Sequence, residues 1–142
     1  MRILGVDFGE KRVGLAISDP LGLTAQGLET IAYVGKMNLL NGLLKVCQDH
    51  KVGEIVIGLP INMNGSMGAK AKEVLELVQE MEKRLELPVK TWDERLTSRQ
   101  AGRLMIAEGL SRKKQKENSD RLAATILLQN YLESKRKTSY EL

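Results

Sequence analysis

The sequence predicts an α/β fold: a mixed five-stranded sheet, three antiparallel strands then parallel strands, with helices on both faces. Three observations lead there. The first 33 residues hold short apolar stretches separated by glycine- and proline-containing breaks. From Lys36 onward the apolar period changes from two to 3.6. Helix-like and strand-like stretches then alternate, giving the order β-β-β-α-β-α-β-α-α, which suits parallel strands joined by right-handed crossovers.

Each element follows from local pattern. Arg2–Asp7 is a short apolar run, punctuated by Phe8-Gly9-Glu10-Lys11. In Val13–Ser18, Val13, Leu15 and Ile17 alternate with Gly14, Ala16 and Ser18, so the two stretches read as a hairpin. Pro20 and Gly22 mark a break, and a third strand falls within Thr24–Tyr33. Leu40, Leu43, Leu44 and Cys47 share one helical face over about Lys36–His50. Glu54–Gly58 is the continuous apolar run of a central strand buried on both faces. Pro60–Gly68 reads as a loop, Ala69–Glu86 as a helix with a stripe of Ala71, Val74, Leu75, Val78 and Leu85, and Pro88–Trp92 as a strand. Thr97-x-x-Gln100 opens a helix to Glu108 in a capping-box pattern. Gly109–Glu117 reads as a basic loop and Asn118–Ser134 as the last helix.

The 142 residues suit one domain over 1–142, large enough for a core without staples. One cysteine and one histidine exclude a disulfide framework and a cysteine zinc site. No stretch approaches the roughly 20 apolar residues of a membrane span. The N-terminal apolar run is too short for a signal peptide. These features read as a cytoplasmic protein with no membrane contact. The net charge of +4 is unevenly placed. Residues 112–142 carry 8 basic and 4 acidic side chains, which accounts for all of it. Arg112, Lys113, Lys114 and Lys116 form a cluster suited to a polyanion. Lys135, Arg136 and Lys137 read as a solvated, frayed tail.

Acidic residues stand where a core should be. Asp7 ends an apolar strand, Asp93 and Glu94 end another, and Asp120 opens the last helix on the face of Ala123, Ala124, Leu127 and Tyr131. Each has a plain structural reading. Asp7 can cap the hairpin turn, Asp93 can cap the next helix, Glu94 can pair with Arg95 or Arg99, and Asp120 can favour the helix N-terminus. Together they point elsewhere, because converging carboxylates repel unless a cation joins them. Hard oxygen donors without histidine or cysteine suit Mg²⁺ or Mn²⁺. Two such ions about 4 Å apart suit phosphodiester cleavage. Asn62–Gly68 leads into a helix, so Asn64, Gly65 and Ser66 are candidates for phosphate contact. The alternative is an ordinary helix entry with Ser66 as N-cap.

Four motifs resemble the YqgF/RuvX family. They are Asp7-Phe-Gly9-Glu-Lys11-Arg12-Val-Gly14-Leu-Ala16-Ile-Ser18-Asp19, Gly58-Leu-Pro60 with Asn64-Gly65-Ser66 and Gly68, Asp93-Glu94-Arg95-Leu96-Thr97-Ser98, and Asp120-x-x-Ala123-Ala124 with Leu128-Gln129-x-Tyr131-Leu132. The resemblance covers essentially the whole chain. It implies an RNase H-like fold related to Holliday junction resolvases, and a nuclease for the 5′ end of pre-16S rRNA in ribosome biogenesis. It also implies Asp7, the Asp93–Glu94 pair and Asp120 as acidic active-site and metal-binding residues. Strand alternation lets only one of the pair face the site directly, and Glu94 has the longer arm. Catalysis is therefore assigned to Asp7, Glu94 and Asp120.

On this reading Lys11 and Arg12 hold phosphates from the hairpin turn, Arg95 and Arg99 from the other side, and Arg112–Lys116 grips the substrate. Five aromatics, Phe8, Tyr33, Trp92, Tyr131 and Tyr140, make base stacking a minor resource. Three rivals remain open. A resolvase of four-way DNA would act as a homodimer rather than a monomer. Actin-like ATP binding shares the first hairpin but needs two domains. A noncatalytic RNA-binding assembly factor would keep only the basic residues.

Overall fold

The computed structural model describes residues 1–96 and 112–140. Five strands, β1 (Arg2–Phe8), β2 (Arg12–Ser18), β3 (Ala25–Ala32), β4 (Val52–Leu59) and β5 (Val89–Asp93), form one sheet in the order β3-β2-β1-β4-β5. β1 pairs antiparallel with β2, and β2 with β3. β4 lies parallel to β1, and β5 parallel to β4. The mixed sheet expected from the sequence is therefore present. Helices α1 (Lys36–His50) and α2 (Ala69–Leu85) belong to one core face, and α3 (Arg112–Tyr140) to the other.

The two faces are built differently. One is thick and branched. Leu4, Val6, Val13, Leu15, Ile55 and Ile57 meet Leu39 and Leu43 of α1 and Val74 and Met81 of α2, and all are essentially buried. Cys47 belongs to this core, where burial pushes its thiol up to about 11. The other face is thin. Ile3, Ala16 and Val56 meet Ala124, Leu127, Leu128 and Leu132 of α3. Here small residues let the helix backbone come close. A Cβ added at Gly5 would lie 2.9 Å from Leu128 Cβ and 3.2 Å from the Ala124 carbonyl oxygen.

Polar bonds seat α3 at both sides of the sheet. The Ala25 N–H donates to Gln129 Oε1 at 3.0 Å, and Gln129 Nε2 donates to the Leu23 carbonyl at 3.3 Å. Across the sheet, Glu54 is buried within β4 and accepts from Tyr131 Oη at 2.9 Å and Lys135 Nζ at 3.0 Å. Burial, then Glu54, raises the Tyr131 phenol above its ordinary range. Tyr131 also meets Trp92 edge to face at 6.0 Å. Asp19 organises the β2–β3 turn by accepting from the N–H groups of Thr24, Leu23 and Leu21. Those bonds, Thr24's foremost, hold its carboxyl below the usual value.

Some expectations are corrected. α3 begins at Arg112, so residues 112–117 are helix rather than loop, and it runs past Ser134 to Tyr140. Arg, Lys, Gln and Glu are strong helix formers, and no Gly or Pro interrupts residues 112–140. Asp120 consequently lies in the third turn of α3, not at its start. The expected frayed tail is also helical, with Lys135 bound to Glu54. Ser66 is not the cap of α2; Gly68 is, without a side-chain bond. The expected helix over Thr97–Glu108 and residues 109–111 lie outside the described residues.

The close seating of α3 predicts the effect of Gly5→Ala. The new methyl would meet a backbone oxygen and a branched core side chain, so stability should fall by about 1–3 kcal/mol. A urea unfolding midpoint that stays unchanged would refute this account of the interface.

Candidate active site

The carboxylates take their places from strand alternation. Asp7 lies on the α3 face of β1, in step with Ile3 and Gly5, and is 9% exposed at the C-terminal end of the strand. Its partner in the β1–β2 ladder is Gly14. Along β1–β4, Ile3 pairs with Glu54 and Val6 with Ile57, and the same offset sets Gly58 beside Asp7. Gly58 in turn pairs with Trp92 of β5.

Glu94 begins the single 3₁₀ turn Glu94–Leu96 that follows β5. Its side chain lies across Gly58: a Cβ there would stand 3.0 Å from both Cγ and Oε1 of Glu94, and 2.8 Å from Leu127 Cδ1. A side chain at position 58 would occupy the space that brings Glu94 over β4 toward the column of Asp7. Asp93 behaves differently. It accepts from Arg95 Nε at 2.9 Å, Arg95 Nη2 at 2.6 Å and the Arg95 N–H at 3.0 Å. The Arg95 guanidinium, then that N–H, holds the Asp93 carboxyl below the ordinary value. The neighbouring acids have separate surroundings, as alternation expects.

The placement of Asp120 follows from the course of α3. Ala124 and Leu128 lie over Gly5, whereas Tyr131 and Lys135 reach Glu54, which is level with Ile3. The helix thus descends against the direction of β1. The turn before Ala124, which holds Asp120, lies toward the end of β1 that carries Asp7. The Asp120 side chain is outside the description, as are those of Arg112, Lys113, Lys114 and Lys116. Arg99 lies outside the described residues.

The remaining candidates divide. Lys11 is exposed and Arg12 half-buried in the hairpin turn closed by the Gly9 N–H donating to the Arg12 carbonyl at 3.1 Å. Both stand at the same sheet edge as Asp7. Asn64, Gly65 and Ser66 are exposed on the loop after β4, also at that edge, but their polar groups largely bond one another. The Ser66 N–H and hydroxyl both donate to Asn64 Oδ1, Asn62 Nδ2 donates to Ser66 Oγ, and the Gly65 N–H donates to the Asn62 carbonyl. The Arg95 guanidinium is engaged by Asp93.

The donor chemistry suits a hard divalent cation. Asp7 and Glu94 offer carboxylate oxygens, while Cys47 lies in the opposite core. Among the described residues no three acidic, histidine or cysteine side chains gather at metal-binding distance. Sequence reasoning assigned no role to Glu54, or to Gln129 within its motif, yet both seat the helix bearing Asp120. A signal for Glu54 was present: an acid inside an otherwise apolar central strand.

The chain is similar to known proteins in sequence and fold. A family model described as "RuvX: Holliday junction resolvase" matches residues 1–134. A protein of Syntrophomonas wolfei named "Putative pre-16S rRNA nuclease" is 48% identical over 133 residues, 94% of each chain. One of the same name from Clostridium kluyveri is 47% identical, over 94% of this chain and 97% of its own. In fold, T. thermophilus RuvC in complex with Holliday junction substrate aligns over 97% of both chains with a TM-score of 0.61 at 17% identity. The Fowlpox virus resolvase bound to Holliday junction DNA gives 0.60 at 15% identity, over 95% of this chain and 99% of that one. Both share the fold described above.

The Asp93–Arg95 contact has a pH signature. A depressed carboxylate contributes stability in full above its unfolded value, ordinarily 3.8, and loses it as pH falls through the lower folded value. Asp93→Asn should therefore lower the unfolding midpoint slightly at pH 7, and by progressively less as pH falls below 3.8. Midpoints measured across that range check it; a difference that persists undiminished in acid would contradict it.

Proposed function

The chain belongs to the RuvX family of Holliday junction resolvases, and from that premise we propose a metal-dependent nuclease that cuts structured RNA, trimming the 5′ end of pre-16S rRNA. The observation that carries this reading is the approach of Glu94 across Gly58 toward the column of Asp7 at the C-terminal edge of β1. The names of relatives at 47–48% identity along nearly the whole chain supply the substrate.

Asp7 and Glu94 would hold the metal, with Asp120 completing the set from α3. Asp93 would serve the site by fixing Arg95. When bound, Mg²⁺ or Mn²⁺ supplies a more acidic water and stabilises charge on the departing oxygen. The chain's own part is to present fixed carboxylates at a sheet edge and to hold the backbone beside them. Lys11 and Arg12 grip phosphates from the hairpin turn, and Arg99 and Arg112–Lys116 add positive charge for the same polyanion. Asn64, Gly65 and Ser66 offer a further contact after β4. Phosphate contacts of this kind give affinity and salt dependence without sequence readout. Such processing belongs in the cytoplasm, and no described helix is long and apolar enough to cross a membrane.

Branched DNA is the second reading, favoured by the family description. The two separate in one assay, with the purified protein, Mg²⁺ or Mn²⁺, and either a pre-16S 5′ leader or a four-way DNA junction. We expect cleavage of the RNA, abolished by chelation. Asp7→Asn and Glu94→Gln should each reduce kcat by about a hundredfold or more while RNA is still bound. Binding without metal-dependent cleavage of either substrate would instead identify an assembly factor.

Gly58→Ala tests the geometry rather than the chemistry. Its methyl would displace Glu94 with no loss of charge, and a shift near 1 Å should cost up to about a hundredfold in kcat. Full activity in a folded Gly58→Ala protein would remove Glu94 from the site.

A further inference from the structure

The opposite face of the same sheet edge holds a pocket that the cleavage site does not use. Phe8 follows Asp7 directly, so alternation turns it toward α1 and α2. Its ring meets Tyr33 edge to face, centroids 5.0 Å apart and planes at 86°. Lys70 Nζ stands 6.0 Å from the Phe8 centroid. With Gly9, Glu10 and Glu73 these residues line a space of about 240 Å³.

Three elements build the pocket, and contacts fix them. The Tyr33 N–H donates to the Lys11 carbonyl at 2.9 Å, which ties the end of β3 to the β1–β2 turn. Lys70 and Glu73 are three residues apart in the first turns of α2, so they share a face.

The chemistry selects an occupant. Phe8 is buried and forms the floor beneath the half-buried Tyr33, so the Tyr33 ring is the aromatic surface on which a flat ring can pack. Two carboxylates against one ammonium make the lining net negative, which disfavours a phosphate. Carboxylates accept hydrogen bonds from ring N–H and amino groups, and an ammonium donates to a ring carbonyl. The volume falls below the roughly 300 Å³ at which drug-sized pockets begin, so it suits one ring system. Guanine presents N1–H and the 2-amino group beside O6, matching two acceptors and one donor.

We infer that this pocket receives one unpaired guanine base of the strand being cut, close to the bond cleaved beside Asp7. The inference rests on the nuclease reading for its consequence, a base preference near the cut. The binding itself can be measured without cleavage.

Phe8 is the only phenylalanine in the chain, so ¹³C-phenylalanine labelling reports on the pocket alone. Titration with the four nucleoside monophosphates should shift the Phe8 ring signals saturably with GMP, and at least about fivefold more weakly with the others. Equal responses, a response led by another base, a response to inorganic phosphate, or no response overturns the inference. In the cleavage assay, replacing guanosines singly by inosine, which lacks the 2-amino group, should slow cutting about tenfold at one position. Glu73→Gln should erase that difference. Cleavage indifferent to every replacement, with a silent Phe8 ring, would discard the pocket and leave the nuclease. A Phe8 ring that responds to GMP in a protein that cuts nothing would keep the pocket and discard the nuclease.

Discussion

Close contact between α3 and bare sheet backbone governs this molecule. At Gly5 the helix comes so near that a single added carbon would strike the Ala124 carbonyl. Such an approach leaves no room for a side chain at Gly5, and Ala16 and Gly58 keep the neighbouring strands low under Ala124, Leu127 and Leu128. Dispersion at short range replaces the branched packing of the other face. The same contact sets the height of α3 above the sheet, and hence where Asp120 is carried relative to Asp7.

Polar bonds supply what a smooth apolar contact lacks, namely register. Small, flat surfaces can slide, but Gln129 grips the backbone at the start of β3, and Tyr131 and Lys135 converge on Glu54 of β4. A buried acid with two donors is costly to leave unpaired, so α3 is discouraged from shifting by a turn. Glu54 is thus an acid with a positioning role. It stands at the opposite end of β4 from Gly58, where Glu94 lies. Acids of one type do unlike work according to strand position: Asp19 closes a turn, Asp93 holds Arg95, and Asp7 and Glu94 stand on the α3 face.

The C-terminal ends of β1 and β4 collect the functional features because parallel pairing aligns those ends. The hairpin turn, the loop after β4 and the first turn of α2 all meet there. Alternation then divides the edge between two faces, with carboxylates toward α3 and the aromatic pocket toward α2. A one-residue slip in β1 would exchange Asp7 with Phe8 and abolish both. The buried faces of β1, packed on both sides, prevent that slip.

Most of the strand and helix order was legible in the sequence, because periodicity and breakers act over a few residues: the alternation of Val13–Ser18, the stripe of Leu40, Leu43 and Cys47, the apolar run Ile55–Ile57 of β4. The same local logic misread residues 112–117 as loop. Asn118, Ser119 and Asp120 look like a helix start, yet a long run of helix formers precedes them and the helix passes through. By itself the sequence determined the fold class and the set of acids on offer, since residue type and spacing are properties of the chain. Tertiary structure decided that Glu94 rather than Asp93 lies over Gly58, that Lys135 belongs to Glu54 rather than to a loose tail, and that Phe8, Tyr33 and Lys70 share one pocket. Those outcomes depend on strand register and helix seating between residues tens of positions apart, which no local pattern encodes.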